Sequence, residues 1–297
     1  MEWTGALQFA LLRRSPLGPY RLYPSLPVSP SSLPDDVPRL VLIILATMLG
    51  SAVNSIAGGG TLLTFPALVG LGVPAIVANA TSTVALVPGT LSSLVGYRDE
   101  LTGARAWALW FAVPSILGGI TGALLLLATS SEQFDAVVPW LVMGATGLFV
   151  VQRPMMRWLR TRSGIALAAD DDPALRPPPL TVLLFQFGVA VYGGYFGAGI
   201  GILMLAALGF MGFTNIHRMN GLKSWGGMCA NVVAAATFAM SHLVNWPLAG
   251  LMAVAAIVGG YGGSRMAQRI SQERVRQAII AIGFASGIWL LAEWLRR

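Results

Sequence analysis

Ten apolar segments, separated by short polar or glycine-containing stretches, restrict the fold of this chain more than any other feature. They are 38–57, 60–72, 74–97, 104–128, 136–152, 180–197, 199–212, 215–240, 244–265 and 275–295. Several reach the roughly 20 residues that a helix needs to cross the hydrocarbon core of a bilayer. Of the 297 residues 55% are hydrophobic and only 10% are charged, which is more apolar surface than a water-soluble core can bury. We therefore predict an all-α, polytopic membrane protein.

The two halves of the chain repeat one pattern at a constant spacing of 141 residues. The residues that recur are Gly58, Gly60, Asn79, Gly118, Gly119 and Gly122, which match Gly199, Gly201, Asn220, Gly259, Gly260 and Gly263. A repeat at fixed spacing indicates two halves built alike. We predict a first transmembrane repeat at 38–152 and a second at 180–297. Residues 1–37 form a proline-rich irregular tail and 153–179 a linker.

The positions of the arginines indicate how the chain crosses the membrane. The linker and the stretch before the last apolar segment are rich in arginine, whereas 129–135 and 241–246 contain no basic residue except histidine. Cytoplasmic loops are enriched in lysine and arginine, so the first two stretches should face the cytoplasm and the last two the outside. Each repeat then crosses an odd number of times, and the two repeats are inverted. Inverted repeats are typical of transporters, although channels and some membrane enzymes are also duplicated.

Charge and composition argue against several classes of function. The net charge of +7 arises from arginines in loops between spans, so we expect no nucleic-acid partner. The apolar segments carry almost no carboxylates, so a site for a bare metal cation is hard to build. Both histidines lie in loops, and no HExxH, CxxC or GxSxG motif with matching partners is present. We expect no enzyme activity, no metal and no cofactor, and a neutral or anionic cargo.

Two glycine-rich stretches, each between two short apolar segments, should interrupt the helices. The first contains Gly58, Gly59 and Gly60, and the second contains Gly197, Gly199 and Gly201. Backbone amides freed at membrane depth could bind an anion in a water-filled cavity. Alternatively, the glycines allow close helix packing or a tight hairpin.

A polar patch follows each of these stretches. The first contains Asn79, Thr81 and Ser82, and the second contains Asn220, Lys223 and Ser224. One interpretation is a helix N-cap at each asparagine. The other is a pair of symmetry-related patches whose amides and hydroxyls hydrogen-bond an oxyanion, with the Lys223 ammonium offsetting its charge. A lysine in a span is costly and is either functional or directed toward the membrane interface.

These motifs resemble a known family. The run from Ile56 to Gly60 with Phe65-Pro66, the stretch 77–83 and Gly96-Tyr97-Arg98 are similar to the first half of the TauE/SafE sulfite exporters. The runs 196–201 and 216–223 are similar to the second half, except that Ile200 replaces a third consecutive glycine. The resemblance implies a multi-pass protein of the bacterial cell membrane with about eight spans, which moves sulfite or organosulfonates. The family motif falls on Gly58, Gly59, Gly60, Asn79, Thr81, Gly197, Gly199, Gly201, Asn220 and Lys223.

The residues and the resemblance together predict a permease for a small sulfur-containing anion that works by alternating access. Its partners are the lipid bilayer and the anion, and no oligomeric state is predicted. The alternatives are a passive anion channel, which would give uncoupled flux, and a membrane enzyme or assembly factor, which would need a catalytic constellation that the sequence lacks.

Overall fold

A computed structural model describes residues 36–95, 105–162, 177–210, 213, 216–266 and 272–296. This part of the chain contains helices and no strands, so the predicted all-α fold is confirmed. The helices are α1 Val37–Ala57, α2 Thr61–Gly70, α3 Ala75–Val95, α4 Arg105–Ala128, α5 Ser131–Arg162, α6 Leu180–Tyr195, α7 Ile200–Phe210, α8 Ile216–Ala239, α9 Trp246–Met266 and α10 Gln272–Leu295.

The bounds of the helices follow the apolar segments, with one extension. Helix α5 continues to Arg162, ten residues beyond the apolar segment that ends at 152. The first part of the predicted linker is therefore helical, because arginine is a good helix former and a helix can project beyond the hydrocarbon into water. The rest of the linker up to residue 176, and the predicted tail up to residue 35, lie outside the described residues.

Both predicted helix interruptions are present. Helix α1 ends at Ala57, the next residue Gly58 has a left-handed backbone with φ of 78°, and α2 begins at Thr61. Helix α6 ends before a turn in which Gly197 and Gly199 have φ of 84° and 79°. Only glycine adopts this conformation without steric cost. The glycines therefore set where the two broken helix pairs turn.

The contacts between helices follow the same relation in both halves. If α1 to α5 correspond to α6 to α10, then the packing of α4 on α6 corresponds to that of α9 on α1. The packing of α4 on α8 likewise corresponds to that of α9 on α3. These four are among the most extensive helix contacts of the described chain. Each half therefore packs its fourth helix against the first and third helices of the other half.

The correspondence holds at the level of single residues. A Cβ on Gly119 would lie 2.6 Å from the Ala230 carbonyl oxygen, and a Cβ on Gly260 would lie 2.5 Å from the Gly89 carbonyl oxygen. Both glycines and both carbonyls are related by the spacing of 141 residues. Such small residues let helix backbones approach closely inside a membrane. The repeated glycines in α4 and α9 are thus packing residues.

The outside of the bundle is apolar. Five helices of the described chain are long and apolar enough to cross a membrane alone, namely α1, α3, α4, α5 and α10, while α2, α6, α7 and α9 have shorter apolar stretches. Large side chains such as Leu109, Val113 and Leu117 are more than half exposed along α4. In water this surface would be an aggregation hazard. A lipid environment explains it.

A cavity of about 310 Å³ lies at one end of the bundle. The connection between α2 and α3, the start of α5 and the end of α10 surround it, and its lining includes Asp135, Trp289, Glu293 and Trp294. The arginine pattern predicts that all three of these ends face the outside. The structure brings them together on one side, as that topology requires.

Candidate functional site

The two helix interruptions meet in the middle of the protein. A Cβ placed on Gly58 would lie 2.8 Å from the Gly201 Cα, so the two backbones touch. Phe65 of α2 packs edge-on against Phe196 of the second interruption, with ring centroids 5.4 Å apart. The broken pairs of the two halves therefore pack against each other in one continuous core.

A small cavity of about 30 Å³ lies beside this contact. Residues from both halves line it: Asn54, Gly58, Thr90, Ser93, Ile200, Gly201, Lys223, Ser224, Gly227 and Asn231. Thr90 and Asn231 correspond to each other at the repeat spacing, and both line the same cavity. The cavity therefore lies at the approximate symmetry axis that relates the two halves.

The α3 side of the cavity offers hydrogen-bond acceptors. The Thr90 hydroxyl donates to the Leu86 carbonyl at 3.0 Å, and the Ser93 hydroxyl donates to the Thr90 carbonyl at 2.9 Å. The Asn54 amide in turn donates to the Thr90 hydroxyl oxygen at 3.2 Å. Because both hydroxyl protons are used within α3, the hydroxyl oxygens can present only lone pairs to a ligand.

The α8 side offers donors. The Lys223 ammonium, the Ser224 hydroxyl and the Asn231 amide can all donate to an anion. Lys223 is only 3% exposed. An ammonium group buried this deeply is stable only where acceptors or an anion surround it. The cavity thus combines a cationic donor side with an uncharged acceptor side, which suits a small anion that itself carries a hydrogen-bond donor.

Four of the residues predicted from the sequence line this cavity, namely Gly58, Gly201, Lys223 and Ser224. The other glycines lie around it. A Cβ on Gly59 would overlap the Phe149 ring, and one on Gly60 would overlap the Gly50 carbonyl. Gly197 and Gly199 shape the second turn. Gly59, Gly60, Gly197 and Gly199 are therefore needed for backbone geometry and close packing.

The predicted polar residues of the first half are engaged in other contacts. The Asn79 amide donates to the Tyr195 carbonyl at 2.9 Å, and the hydroxyls of Ser82 and Thr64 share a hydrogen bond of 2.6 Å. The Thr81 hydroxyl accepts the Asn245 backbone amide at 3.0 Å. In this conformation these side chains connect helices and do not line the cavity.

The interpretation of Asn79 and Asn220 as helix N-caps is wrong. Helix α3 begins at Ala75 and α8 at Ile216, so each asparagine lies four residues inside its helix. The side-chain oxygens of both are buried, and neither has a hydrogen-bond partner within the described chain. An unsatisfied buried amide oxygen is costly. Its occurrence at both repeat-related positions therefore needs an explanation beyond helix capping.

The structure also brings in polar residues that the sequence reasoning missed, namely Asn54, Thr90, Ser93 and Asn231. Two signals point to them. All four are polar side chains inside apolar segments, and Thr90 and Asn231 are related by the repeat spacing. A third signal concerns Lys223, which is the only lysine of the chain, since the other basic residues are arginines. The only lysine thus lies at the axis.

Comparison with known proteins gives the family. A family model described as the sulfite exporter TauE/SafE matches residues 42–290, which leaves out the first 41 and the last seven residues. The chain belongs to this family. The match covers both helix interruptions and every described residue that lines the central cavity.

Curated relatives of the TauE/SafE chain are named as transporters. A probable membrane transporter protein of Haemophilus influenzae is 27% identical over 82% of this chain and 91% of the relative. The probable membrane transporter protein ORF9 of a Sinorhizobium species is 25% identical over 86% of this chain and 93% of its own length. The probable membrane transporter protein YfcA of Escherichia coli K12 is 26% identical over 86% of this chain and 90% of its own length. No solved structure matches. The protein is thus a member of a membrane transporter family.

Proposed function

We propose that this protein carries a small sulfur-containing anion, such as sulfite or an organosulfonate, across the bacterial cell membrane by alternating access. The observation that carries the proposal is the central cavity, in which buried Lys223 faces uncharged polar groups at the contact between the two halves. Transporters with repeated halves place their substrate between them, at discontinuous helices. The family description supports the sulfur-containing class of cargo.

The chemistry of the lining narrows the form of the anion. Among the described residues that line the cavity there is the Lys223 ammonium and no carboxylate, which favours a ligand with a single negative charge. On the opposite side, the Thr90 and Ser93 oxygens accept hydrogen bonds. Hydrogensulfite has one negative charge and one acidic proton, and it therefore fits both sides. A fully deprotonated dianion would face these lone pairs unfavourably.

The volume of the cavity bears on the mechanism. About 30 Å³ leaves room for only a small ligand in this conformation. Because the site lies between two halves that pack through small residues, a rotation of one half against the other could expose it to either side. A close fit around a single ion favours a carrier over a channel, since rapid conduction requires weak binding at several sites.

Because Lys223 is the only lysine, its chemical labelling reports directly on the site. The purified protein is treated with an amine-reactive reagent, and the modification of the peptide that contains Lys223 is measured by mass spectrometry. Sulfite at pH values where hydrogensulfite dominates should slow this modification at least fivefold. Chloride at the same ionic strength is the control and should leave the rate of modification unchanged.

Flux through reconstituted vesicles completes the test. The parent protein should show saturable uptake of radiolabelled sulfite, and Lys223→Met should lose it. If sulfite neither protects Lys223 nor is transported, the assignment of cargo to this site is wrong. If the flux does not saturate and is purely electrogenic, the protein is a channel.

A further inference from the structure

One apolar side chain borders the central cavity. Among the described residues that line it, all but one are glycines or carry polar groups, and the exception is Ile200, the first residue of α7. Ile200 is buried, with 6% of its surface exposed. A ligand in the cavity therefore meets hydrogen-bonding groups or glycine backbone, except on the side of Ile200.

The Ile200 side chain fills the space between α6 and α8. A Cβ on Gly193 of α6 would lie 3.3 Å from both the Cδ1 and the Cγ2 atom of Ile200. A Cβ on Gly227 of α8, which lines the cavity, would lie 4.0 Å from the Ile200 Cδ1. Ile200 also belongs to a buried cluster with Val189 and Met204. Its side chain therefore lies between the polar cavity and an apolar region of the core.

The first half has a different residue at the related position. Gly59 corresponds to Ile200 at the repeat spacing, and a Cβ on Gly59 would overlap the ring of Phe149. Phe149 belongs to α5 and is not one of the described residues that line the cavity. The first half thus fills the space beside its interruption with a ring from another helix. The second half fills it with a side chain of the interruption itself, at the cavity wall.

This arrangement discriminates against an anion that carries a carbon tail. If the sulfonate group of an organosulfonate lies beside Lys223, a tail directed toward Thr90 would leave buried hydrogen-bonding groups without partners, which is costly. The contact between the Gly58 and Gly201 backbones leaves no room for a tail between them. The apolar region behind Ile200 would suit a tail, but the Ile200 side chain occupies the way into it.

We propose that Ile200 sets the size limit of the site, so that the protein carries inorganic sulfite and excludes organosulfonates. This limit rests on the proposed function, because it requires the anion to bind beside Lys223. A smaller side chain at position 200 should open the region between Gly193 and Gly227 to an alkyl tail. Truncation of buried apolar side chains in other proteins leaves cavities that bind small apolar molecules.

Binding of alkanesulfonates of increasing length tests the size limit. The affinities of the purified parent and of Ile200→Ala for sulfite, methanesulfonate and ethanesulfonate are measured by thermal shift, at a pH where hydrogensulfite dominates. The parent should bind sulfite at least roughly tenfold more tightly than ethanesulfonate. Ile200→Ala should gain roughly fourfold in affinity for each tail carbon that is buried, or about tenfold or more for ethanesulfonate. Its affinity for sulfite should stay within about threefold, since the polar contacts are unchanged.

Two further variants control for nonspecific loosening and for misfolding. Ile202→Ala makes the same truncation in the same helix, at a fully buried residue that does not line the cavity, and should gain no affinity for alkanesulfonates. Ile200→Val removes only Cδ1, the atom nearest to Gly227, and is the milder change if Ile200→Ala fails to fold. It should gain roughly fourfold for methanesulfonate.

Amine labelling of Lys223 shows whether the alkanesulfonate binds in the proposed site. Ethanesulfonate should slow the modification of Lys223 in Ile200→Ala and leave it unchanged in the parent. A gain in ethanesulfonate affinity without protection of Lys223 would overturn the size limit, because the ligand would then bind elsewhere.

The remaining outcomes separate the size limit from the proposed function. If the parent binds ethanesulfonate as tightly as Ile200→Ala does, or if Ile202→Ala gains as much affinity, Ile200 does not set the limit. Protection of Lys223 by sulfite would still support the proposed function in that case. If neither sulfite nor an alkanesulfonate protects Lys223 in any variant, the proposed function is wrong and the size limit fails with it.

Discussion

The two helix interruptions have the same backbone and different surroundings. Gly58 and Gly199 are related by the repeat spacing and have φ of 78° and 79°. Gly58 touches the Gly201 backbone, whereas a Cβ on Gly199 would have no contact closer than 3.7 Å. The repeat therefore preserves the turn while the side chains around each copy have diverged. As a result, the second half supplies Lys223 to the cavity, whereas the first half has Ser82 at the related position.

The largest effect should come from adding a methyl group at these two turns. Gly58→Ala combines left-handed strain with overlap on Gly201 and should cost about 3 kcal/mol. Gly199→Ala has the strain alone and should cost about 1 kcal/mol. The melting temperatures of the detergent-solubilised variants measure the difference. Equal losses would show that the contact between the interruptions contributes nothing to stability.

The next effect concerns charge, which only one half supplies. Lys223→Met removes the ammonium group but keeps a side chain of similar shape, so binding of hydrogensulfite should weaken by about 2 kcal/mol, or roughly thirtyfold. The equilibrium affinity, measured by thermal shift, is the readout. Ser82→Ala, at the related position, should leave the affinity of the present conformation within about twofold, because Ser82 does not line the cavity. A similar loss in both variants would contradict a one-sided site.

A third substitution places in the cavity wall the residue that the other half has at the related position. Asn54→Tyr introduces the residue found at the related position 195, and its ring should occupy the cavity of about 30 Å³. We expect sulfite binding to weaken by about tenfold, since a displaced ligand loses its contacts. Asn54→Ala serves as the size control and should keep more of the affinity. Unchanged binding by Asn54→Tyr would place the ligand elsewhere.

The smallest effect should be at Thr81, which the motif included in the site. Its hydroxyl accepts the backbone amide of Asn245 and so fixes the connection between α8 and α9. Thr81→Val should lower stability by about 1 kcal/mol and change sulfite affinity by less than about twofold. Calorimetry and the binding assay separate the two quantities. A tenfold loss of sulfite affinity with unchanged stability would show that Thr81 contacts the ligand.

Much of the fold could be predicted because it depends on short stretches of the sequence. The apolar segments predict the helices, and the glycines at 58–60 and 197–201 predict the interruptions, since a left-handed turn needs glycine whatever surrounds it. The extent of α5 could not be predicted from hydropathy, because the helix continues into polar residues up to Arg162. Hydropathy indicates which residues lie in the hydrocarbon core, but it does not indicate where the backbone hydrogen bonds of a helix end.

The site was predictable only in part, and Lys223 and Asn79 show why. A buried lysine is costly enough to indicate function from sequence alone, and the structure places Lys223 in the cavity. Asn79 is also a position of the family motif, yet its side-chain amide donates to the Tyr195 carbonyl, 116 residues away. A motif names residues of special chemistry without saying whether each contacts a ligand or another helix.

The sequence by itself determined the membrane class, the repeat and the positions of both helix interruptions, because these depend on hydrophobicity and on backbone conformations that are local properties. Only the tertiary structure decided which polar residues meet at the axis. Asn54, Thr90 and Asn231 come together with Lys223 because the fourth helix of each half packs against the other half. Such contacts depend on packing between distant segments, and the repeat spacing alone could not show which copy of each polar residue lines the cavity.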